Sequence, residues 1–303
     1  MNSFIRTAEI WVPAQDDTLL EFAGGFFGAA KSFGAATRSL CFGRGEGLPG
    51  QAWEEGRPIL LKDFDSLHFH RTAAAKTAGL SCAVALPIFT VSSLKAVLVL
   101  FCGSDEARAG GIELWHNNPR ITSDMTLVDG FYGTATSDAF AALSKDTFLP
   151  RGTGLPGLAW QRGAAVFMED LGTAARFLRG ETAAQAGITR GLALPCPTRT
   201  EEVYVMTWLS ALGTPLAQRL ESWAPDAARQ QLQRGFDFSE TPGEPASAAE
   251  GIALDDVHAP IARAFVGGVP VISESTGGGL GLSLVAIPVV SEGEVSEVLA
   301  LYL

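Results

Sequence analysis

Gly47-Leu48-Pro49-Gly50-Gln51-Ala52-Trp53-Glu54-Glu55-Gly56 returns later in the chain as Gly154-Leu155-Pro156-Gly157-Leu158-Ala159-Trp160-Gln161-Arg162-Gly163. The flanks return with it. Glu9-Ile10-Trp11 precedes the first copy and Glu113-Leu114-Trp115 the second; Ala85-Leu86-Pro87 follows the first and Ala193-Leu194-Pro195 the second. A fainter third echo runs through Glu221-Ser222-Trp223, Ala264-Phe265-Val266-Gly267-Gly268 and Ala286-Ile287-Pro288. Repeats this long are whole small domains, not solenoid units of about 20–50 residues.

Within each copy the local signals agree. Pro49 and Pro156 fall in the first turn of a short helix and Gly56 and Gly163 stop it, so helices are expected over Leu48–Glu55 and Leu155–Arg162. Strands are expected at Ala8–Val12, Thr18–Gly25, Ser39–Arg44, Pro58–Lys62, Leu80–Val91 and Lys95–Phe101 in the first copy. The second offers Ile112–Trp115, Met125–Gly130, Ala165–Met168, Gly191–Pro195 and Val203–Leu209. Ala-rich helices ending at glycine are expected over His70–Ala78 and Thr173–Ala186. The third copy reads as strands at Arg219–Trp223, Gln231–Phe238, Val269–Ile272 and Leu280–Val290 with a helix at Ile261–Gly267. It lacks the second helix, since only Ser273–Gly279 fills that span, and Asp237–Ala249 reads as loop. The expected domains are 1–106, 107–213 and 214–303, joined by short connections and hence packed together.

This order of elements resembles the GAF domain family. The residues that carry the resemblance are Gly45, Gly47-Leu48-Pro49-Gly50, Trp53, Gly56-Arg57-Pro58, Asp63, Ala73 to Gly79 and Val84-Ala85-Leu86-Pro87-Ile88-Phe89. In the second copy they are Gly152, Gly154-Leu155-Pro156-Gly157, Trp160, Gly163, Asp170 and Leu192-Ala193-Leu194-Pro195. The resemblance implies an α/β (α+β) fold: antiparallel sheets with helices over one face, in three tandem copies, two intact and one degenerate. The long first and last helices with which that family covers the back of its sheet are absent here. A bare apolar face must be buried. The repeats are therefore expected to pack through their backs, within the chain or by dimerising, with Leu98, Leu100 and Val205 as candidate residues.

The resemblance also implies a small-molecule pocket between the sheet and the segment over it. In the first copy that lid is Lys62–Gly79, with Asp63, Asp65, His68, His70 and Arg71 as its polar groups. In the second it offers Asp170, Arg176, Arg179 and Glu181. The plainer readings are a solvated loop in the first case and a charged helix face with Arg176 and Arg179 exposed at i,i+3 in the second. Trp53 and Trp160 read as pocket walls or, more plainly, as core residues joining helix to sheet. The Gly-Leu-Pro-Gly turns carry neither a P-loop lysine nor dinucleotide spacing.

Composition bounds the rest. The 303-residue chain is 47% hydrophobic and 18% charged, with a net charge of −11. That composition supports a core, while the acidic balance disfavours nucleic acid and anionic membrane surfaces. The apolar runs Ala96–Cys102 and Leu280–Val290 fall far short of the roughly 18 residues a membrane helix needs. Cys41, Cys82, Cys102 and Cys196 form no CxxC motif and no metal spacing with the histidines. Reduced thiols and the lack of a leader over Met1 to Arg6 make a cytoplasmic location the expectation.

The expected function is a non-catalytic sensory or regulatory protein that binds a small molecule, a protein partner or a second copy of itself. The sequence names no cofactor. Two alternatives stand beside it: a thiol-dependent enzyme of the free methionine sulfoxide reductase type, resting on Cys82 and Cys102, and a structural interaction protein with collapsed pockets.

Overall fold

The computed structural model describes residues 3–65, 69–91, 93–103, 109–241, 251–274 and 282–303. It folds as three six-stranded antiparallel sheets with one shared topology. In the first unit the strands are β1 (Ile5–Pro13), β2 (Leu19–Phe26), β3 (Cys41–Gly43), β4 (Ile59–Leu61), β5 (Leu80–Phe89) and β6 (Leu94–Gly103), ordered 3-2-1-6-5-4 across the sheet. Helices α1 (Lys31–Thr37), α2 (Gly47–Glu55) and α3 (Thr72–Thr77) lie over one face. The second unit repeats this with β7 (Gly110–Asn117), β8 (Asp124–Tyr132), α4 (Asp138–Lys145), β9 (Phe148–Pro150), α5 (Gly154–Arg162), β10 (Val166–Met168), α6 (Gly180–Gln185), β11 (Arg190–Pro197) and β12 (Val203–Ser210). The third comprises β13 (Arg219–Pro225), β14 (Gln231–Ser239), β15 (Gly251–Ala253), α7 (Pro260–Gly267), β16 (Val271–Ser273), β17 (Leu284–Ser291) and β18 (Glu294–Tyr302).

Several expectations are corrected here. Helices α1 and α4 were not foreseen, although α4 carries a Ser137 cap, Asp138 in its first turn and Lys145 in its last. The helix expected over Thr173–Ala186 is only α6; residues 173–179 are turns and coil. Strand β14 extends through Ser239 into the stretch read as loop, and β15 and β18 were not foreseen. Residues 242–250 of that loop, and 275–281 in the span of the missing helix, lie outside the described residues.

The repeated turns have clear local causes. Gly56, Gly163 and Gly268 end α2, α5 and α7 in the left-handed region, at φ 63°, 59° and 64°, where a side chain would be strained. Pro87, Pro195 and Pro288 sit beyond the short edge strands, which pair only with Ala83–Ala85, Gly191–Ala193 and Leu284–Ala286. On that side a missing N–H breaks no ladder bond.

The backs of the sheets are covered within the chain. Leu98 and Leu100 from the first sheet, Leu114 and Met206 from the second, and Leu220, Leu299 and Leu301 from the third belong to one continuous buried cluster. Val205 is not part of it: it lies in the second unit's own core, under the helices, because alternate residues of a strand point to opposite faces. Strands β5, β11 and β17 meet one another around a common axis, where the three Ala-x-Pro motifs line a small apolar depression.

The units close into a ring, each edge strand leaning on the next unit. Lys62, just past β4, pairs with Asp129 of β8 at 2.6 Å. Phe167 of β10 packs on Phe238 and Phe236 of β14 at 4.8 and 6.0 Å, and Arg190 pairs with Glu240 at 2.9 Å. Strand β16 approaches β2, and Phe4 N–H donates to Pro215 O at 2.7 Å. At the second seam the Glu297 carboxylate is buried and accepts the Ala165 N–H. No cation pairs with it among the described residues, and burial pushes its carboxyl up to about 7.

A carboxyl raised in the folded state holds its proton there after the unfolded chain has released it. Its contribution to stability is therefore present below the ordinary carboxylate range and is lost as pH rises through about 7. Glu297→Gln keeps the acceptor and removes the charge. We expect urea unfolding to show the variant gaining on the order of 2 kcal/mol over the native chain at pH 8, with little gain at pH 4. Parallel pH profiles for the two proteins would contradict this.

Candidate functional site

Each repeated Glu-x-Trp motif lies at a bulge in the first strand of its unit, with register shifts at Ile10/Trp11, Leu114/Trp115 and Glu221/Trp223. Residues two apart face the same side, so glutamate and tryptophan both point beneath the helices. The indole N–H of Trp11, Trp115 and Trp223 donates to Glu9, Glu113 and Glu221 at 3.1, 3.0 and 2.9 Å. All three carboxylates are fully buried. A buried carboxylate is costly unless paired and hydrogen-bonded.

The lids supply the pairing. Arg71, at the start of α3, places Nη1 2.5 Å from Glu9 Oε1 and Nη2 3.0 Å from Oε2. It also donates to Thr37 Oγ1, which itself donates to Glu9 at 2.9 Å. Arg179, at the start of α6, repeats the fork on Glu113 at 2.5 and 2.9 Å and donates to Ser144 Oγ. Tyr132 adds a further donor to Glu113 at 2.9 Å. Aromatic rings enclose both guanidiniums. Phe33, Phe101 and Phe69 surround Arg71 at 4.5, 5.4 and 5.5 Å, and Phe140, Phe177 and Trp115 surround Arg179 at 4.9, 5.1 and 5.2 Å. Cations on ring faces with water excluded are stabilised further.

The charges reinforce one another in the second unit. Burial works against the Glu113 carboxylate, but the Arg179 charge and the bonds from Arg179, Trp115 and Tyr132 outweigh it and hold its carboxyl below the usual range. Burial, followed by the Glu113 charge, pushes the Tyr132 phenol up. The third unit reaches a similar pairing with a different arginine. Arg219, two residues before Glu221 on the same strand, donates to it at 2.8 Å and to Asp237 at 2.9 Å, and Tyr302 donates to Glu221 at 3.0 Å.

The expected lid residues therefore separate into two groups. Arg71 and Arg179 are 7% and 3% exposed and occupy the space under the lids. This corrects the plainer readings at these two residues: Arg71 is not in solvent, and Arg179 precedes the helix instead of lying on its exposed face. Asp63, His70, Asp170 and Arg176 are exposed and do not join them. Asp63 accepts the Asp65 N–H at 2.9 Å. Asp170 accepts from Gly172 and Thr173, and its bonds from Thr173 hold its carboxyl below the usual range. His68 lies outside the described residues.

Trp53 and Trp160 are partly buried against their own cores. Arg44 and Arg151 lie over their rings at 5.9 and 5.8 Å. Trp53 also lines a cleft of about 400 Å³ between the first two units, with Arg57, Arg199, Glu202 and Tyr204.

Glu9, Glu113, Thr37 and Ser144 were missed as site residues. A signal existed: glutamate stands two before tryptophan in all three copies, and an arginine precedes the helix-ending Gly79 and Gly187 at the same offset.

The family model described as GAF domain matches residues 6–114, which span the first sheet and the start of β7. No curated protein matches the chain. Among solved structures, the A. aeolicus nlh2 GAF domain in an inactive state is 19% identical; the match covers 34% of this chain and 60% of that one, with a TM-score of 0.27. The NreA protein of Staphylococcus aureus, mutated in its nitrate-binding site, is 16% identical, covering 37% and 81%, with a TM-score of 0.28. The GAF domain/HD domain protein of Geobacter sulfurreducens is 13% identical, covering 33% and 62%, with a TM-score of 0.26. At such identities a shared ligand does not follow.

Removing one partner of a buried ion pair strands the other. Arg179→Ala should cost about 3–5 kcal/mol in urea unfolding, while Arg179→Met combined with Glu113→Gln should cost clearly less than Arg179→Ala alone. A double variant as damaged as the sum of the single variants would show that the pair does not act as a unit.

Proposed function

We propose that this chain, which opens with a GAF domain and repeats its topology twice, is a non-catalytic regulatory module whose lid pockets are held shut by its own arginines. The observation that carries the reading is the position of Arg71 and Arg179. Each guanidinium lies between sheet and lid, in a cage of aromatic rings closed by a carboxylate. A bound cationic ligand would make the same contacts. With that space taken from within, recognition of a small molecule or a protein partner falls to other surfaces of the ring. The same observation serves the reading of a structural interaction protein, and the two separate on whether any small molecule stabilises the native chain.

Burial argues against the thiol-dependent reading, although the register sets its two cysteines side by side. Cys82 and Cys102 are register partners on β5 and β6, and both are fully buried. Burial pushes the Cys196 thiol up to about 12, the opposite of an activated cysteine. Cys41 is exposed and stands apart. The free cysteines support a reducing, cytoplasmic setting for the module. Among the described residues no helix is long and apolar enough to cross a membrane.

The internal-ligand reading makes a direct demand. Arg71→Ala leaves a guanidinium-sized space facing Glu9. Its lowered Tm should recover in part on adding guanidinium at about millimolar concentration, where binding to the native state acts by mass action, while the unaltered protein gains nothing. Equal response of the two proteins would overturn the reading, as would a native-like Tm for Arg71→Ala alone.

A further inference from the structure

The three seams share one contact by register, and the second fills it differently from the others. One step from the Ala-x-Pro proline, each unit's last strand pairs through Ile88/Ala96, Cys196/Tyr204 or Val289/Glu297. Ala96, Tyr204 and Glu297 therefore correspond. Each lies at the end of a helix of the preceding unit. Arg57 lies over the Tyr204 ring at 6.0 Å, the Ala165 N–H donates to Glu297, and a β-carbon on Gly268 would meet Lys95, the neighbour of Ala96, at 3.7 Å. Two residues past the helix-ending glycines stand Pro58, Ala165 and Pro270. Proline has no N–H. Only the second seam has a donor at this place, and only there does a carboxylate meet it.

Glu297 has little else to hold a charge. It is 7% exposed, and the residues nearest it on the same face of the sheet, Val289, Val295 and Leu299, are apolar. The titratable groups on the elements around it do not pair with it. Arg162 at the end of α5, Glu292 in the β17–β18 turn and Glu294 on β18 are exposed. Cys196 on β11 is a buried thiol that burial keeps neutral. Arg219, Glu221 and Tyr302 lie on the opposite face and bond one another, and Asp226 past β13 accepts the Gln230 N–H at 2.8 Å. A carboxylate with one N–H donor among apolar groups is costly to ionise in place. The contacts that keep water from it are few. Besides the Ala165 bond, Ser296 Oγ donates to Gly163 O at 3.3 Å across the same joint. Further along the seam, the Phe167 contacts with Phe236 and Phe238 and the Arg190–Glu240 pair hold β10 and β11 to the third unit.

We propose that the second seam is a proton-gated joint. With Glu297 protonated the joint is closed; loss of that proton parts the end of α5 and the start of β10 from β18, so that water reaches the carboxylate. The first and third seams carry Tyr204 and Ala96 at this position and stay closed. The joint rests on the regulatory reading only for its purpose, and it stands or falls separately from the lid arginines.

Hydrogen exchange followed by mass spectrometry tests it on the full chain, with Glu297→Gln measured at the same pH so that the intrinsic exchange rate cancels. The closed joint holds its proton up to about pH 7, whereas the open one releases it in the ordinary carboxylate range, so the opening constant grows between those limits and then levels off. Residues 163–168 and 294–299 should exchange alike in the two proteins at about pH 4.5. By about pH 8 they should exchange at least about tenfold faster in the native chain. Residues 56–61 and 268–273, at the same place in the other seams, should exchange alike at both pH values. Glu297→Ala, which copies Ala96, should abolish the pH dependence as Glu297→Gln does, and it serves if the glutamine variant does not fold. Equal exchange of native chain and variants at about pH 8 would overturn the proposal, as would a ratio that is the same at both pH values. Acceleration at all three seams together would show a general loosening and would overturn the joint.

Discussion

Three sheets, each apolar on both faces, cannot be stable apart. One face of each is covered by its own short helices and lid. The other has no helix to cover it, and burying it against its neighbours is the constraint on which the rest of the structure depends. Leu100, Met206 and Leu299 come from three different units and lie in the same core. Apolar burial is the main favourable term in folding, so units that share a core share their stability. The axis of Ala-x-Pro strands and the edge strands leaning on the next unit both follow from this closure.

Within each unit a second constraint operates. Glu9, Glu113 and Glu221 are buried beneath the helices with no water to solvate them. Each needs a cation, and the third unit shows how strict the need is. There Arg219 supplies the pairing from the sheet itself. An ion pair of this kind adds little net stability compared with a hydrophobic core of the same volume, but it is costly to break. In the first two units it acts as a latch that ties the lid to one place on the sheet.

Much of the fold was legible in the sequence because its signals are local. The Gly-Leu-Pro-Gly turns, the helix-ending glycines and the apolar closing hairpins each depend on residues close together in the chain. The demand that bare sheet backs be covered was legible too, since the long covering helices that the resemblance implies are missing from the sequence, although Val205 was placed on the wrong face. Helices α1 and α4 escaped notice although each buries a phenylalanine, Phe33 and Phe140, in the core beneath it. The site was less legible. Arg71 and Arg179 could be named as lid residues, but their carboxylate partners lie more than sixty positions away, and a spacing of that kind carries no periodic signal.

The central claim is that the three units form one cooperative structure around a common core. Differential scanning calorimetry of the intact chain tests it most directly. The account predicts a single transition whose calorimetric enthalpy equals its van't Hoff enthalpy. Two or three resolved transitions, or a calorimetric enthalpy several times the van't Hoff value, would mean that the units melt independently and would contradict it.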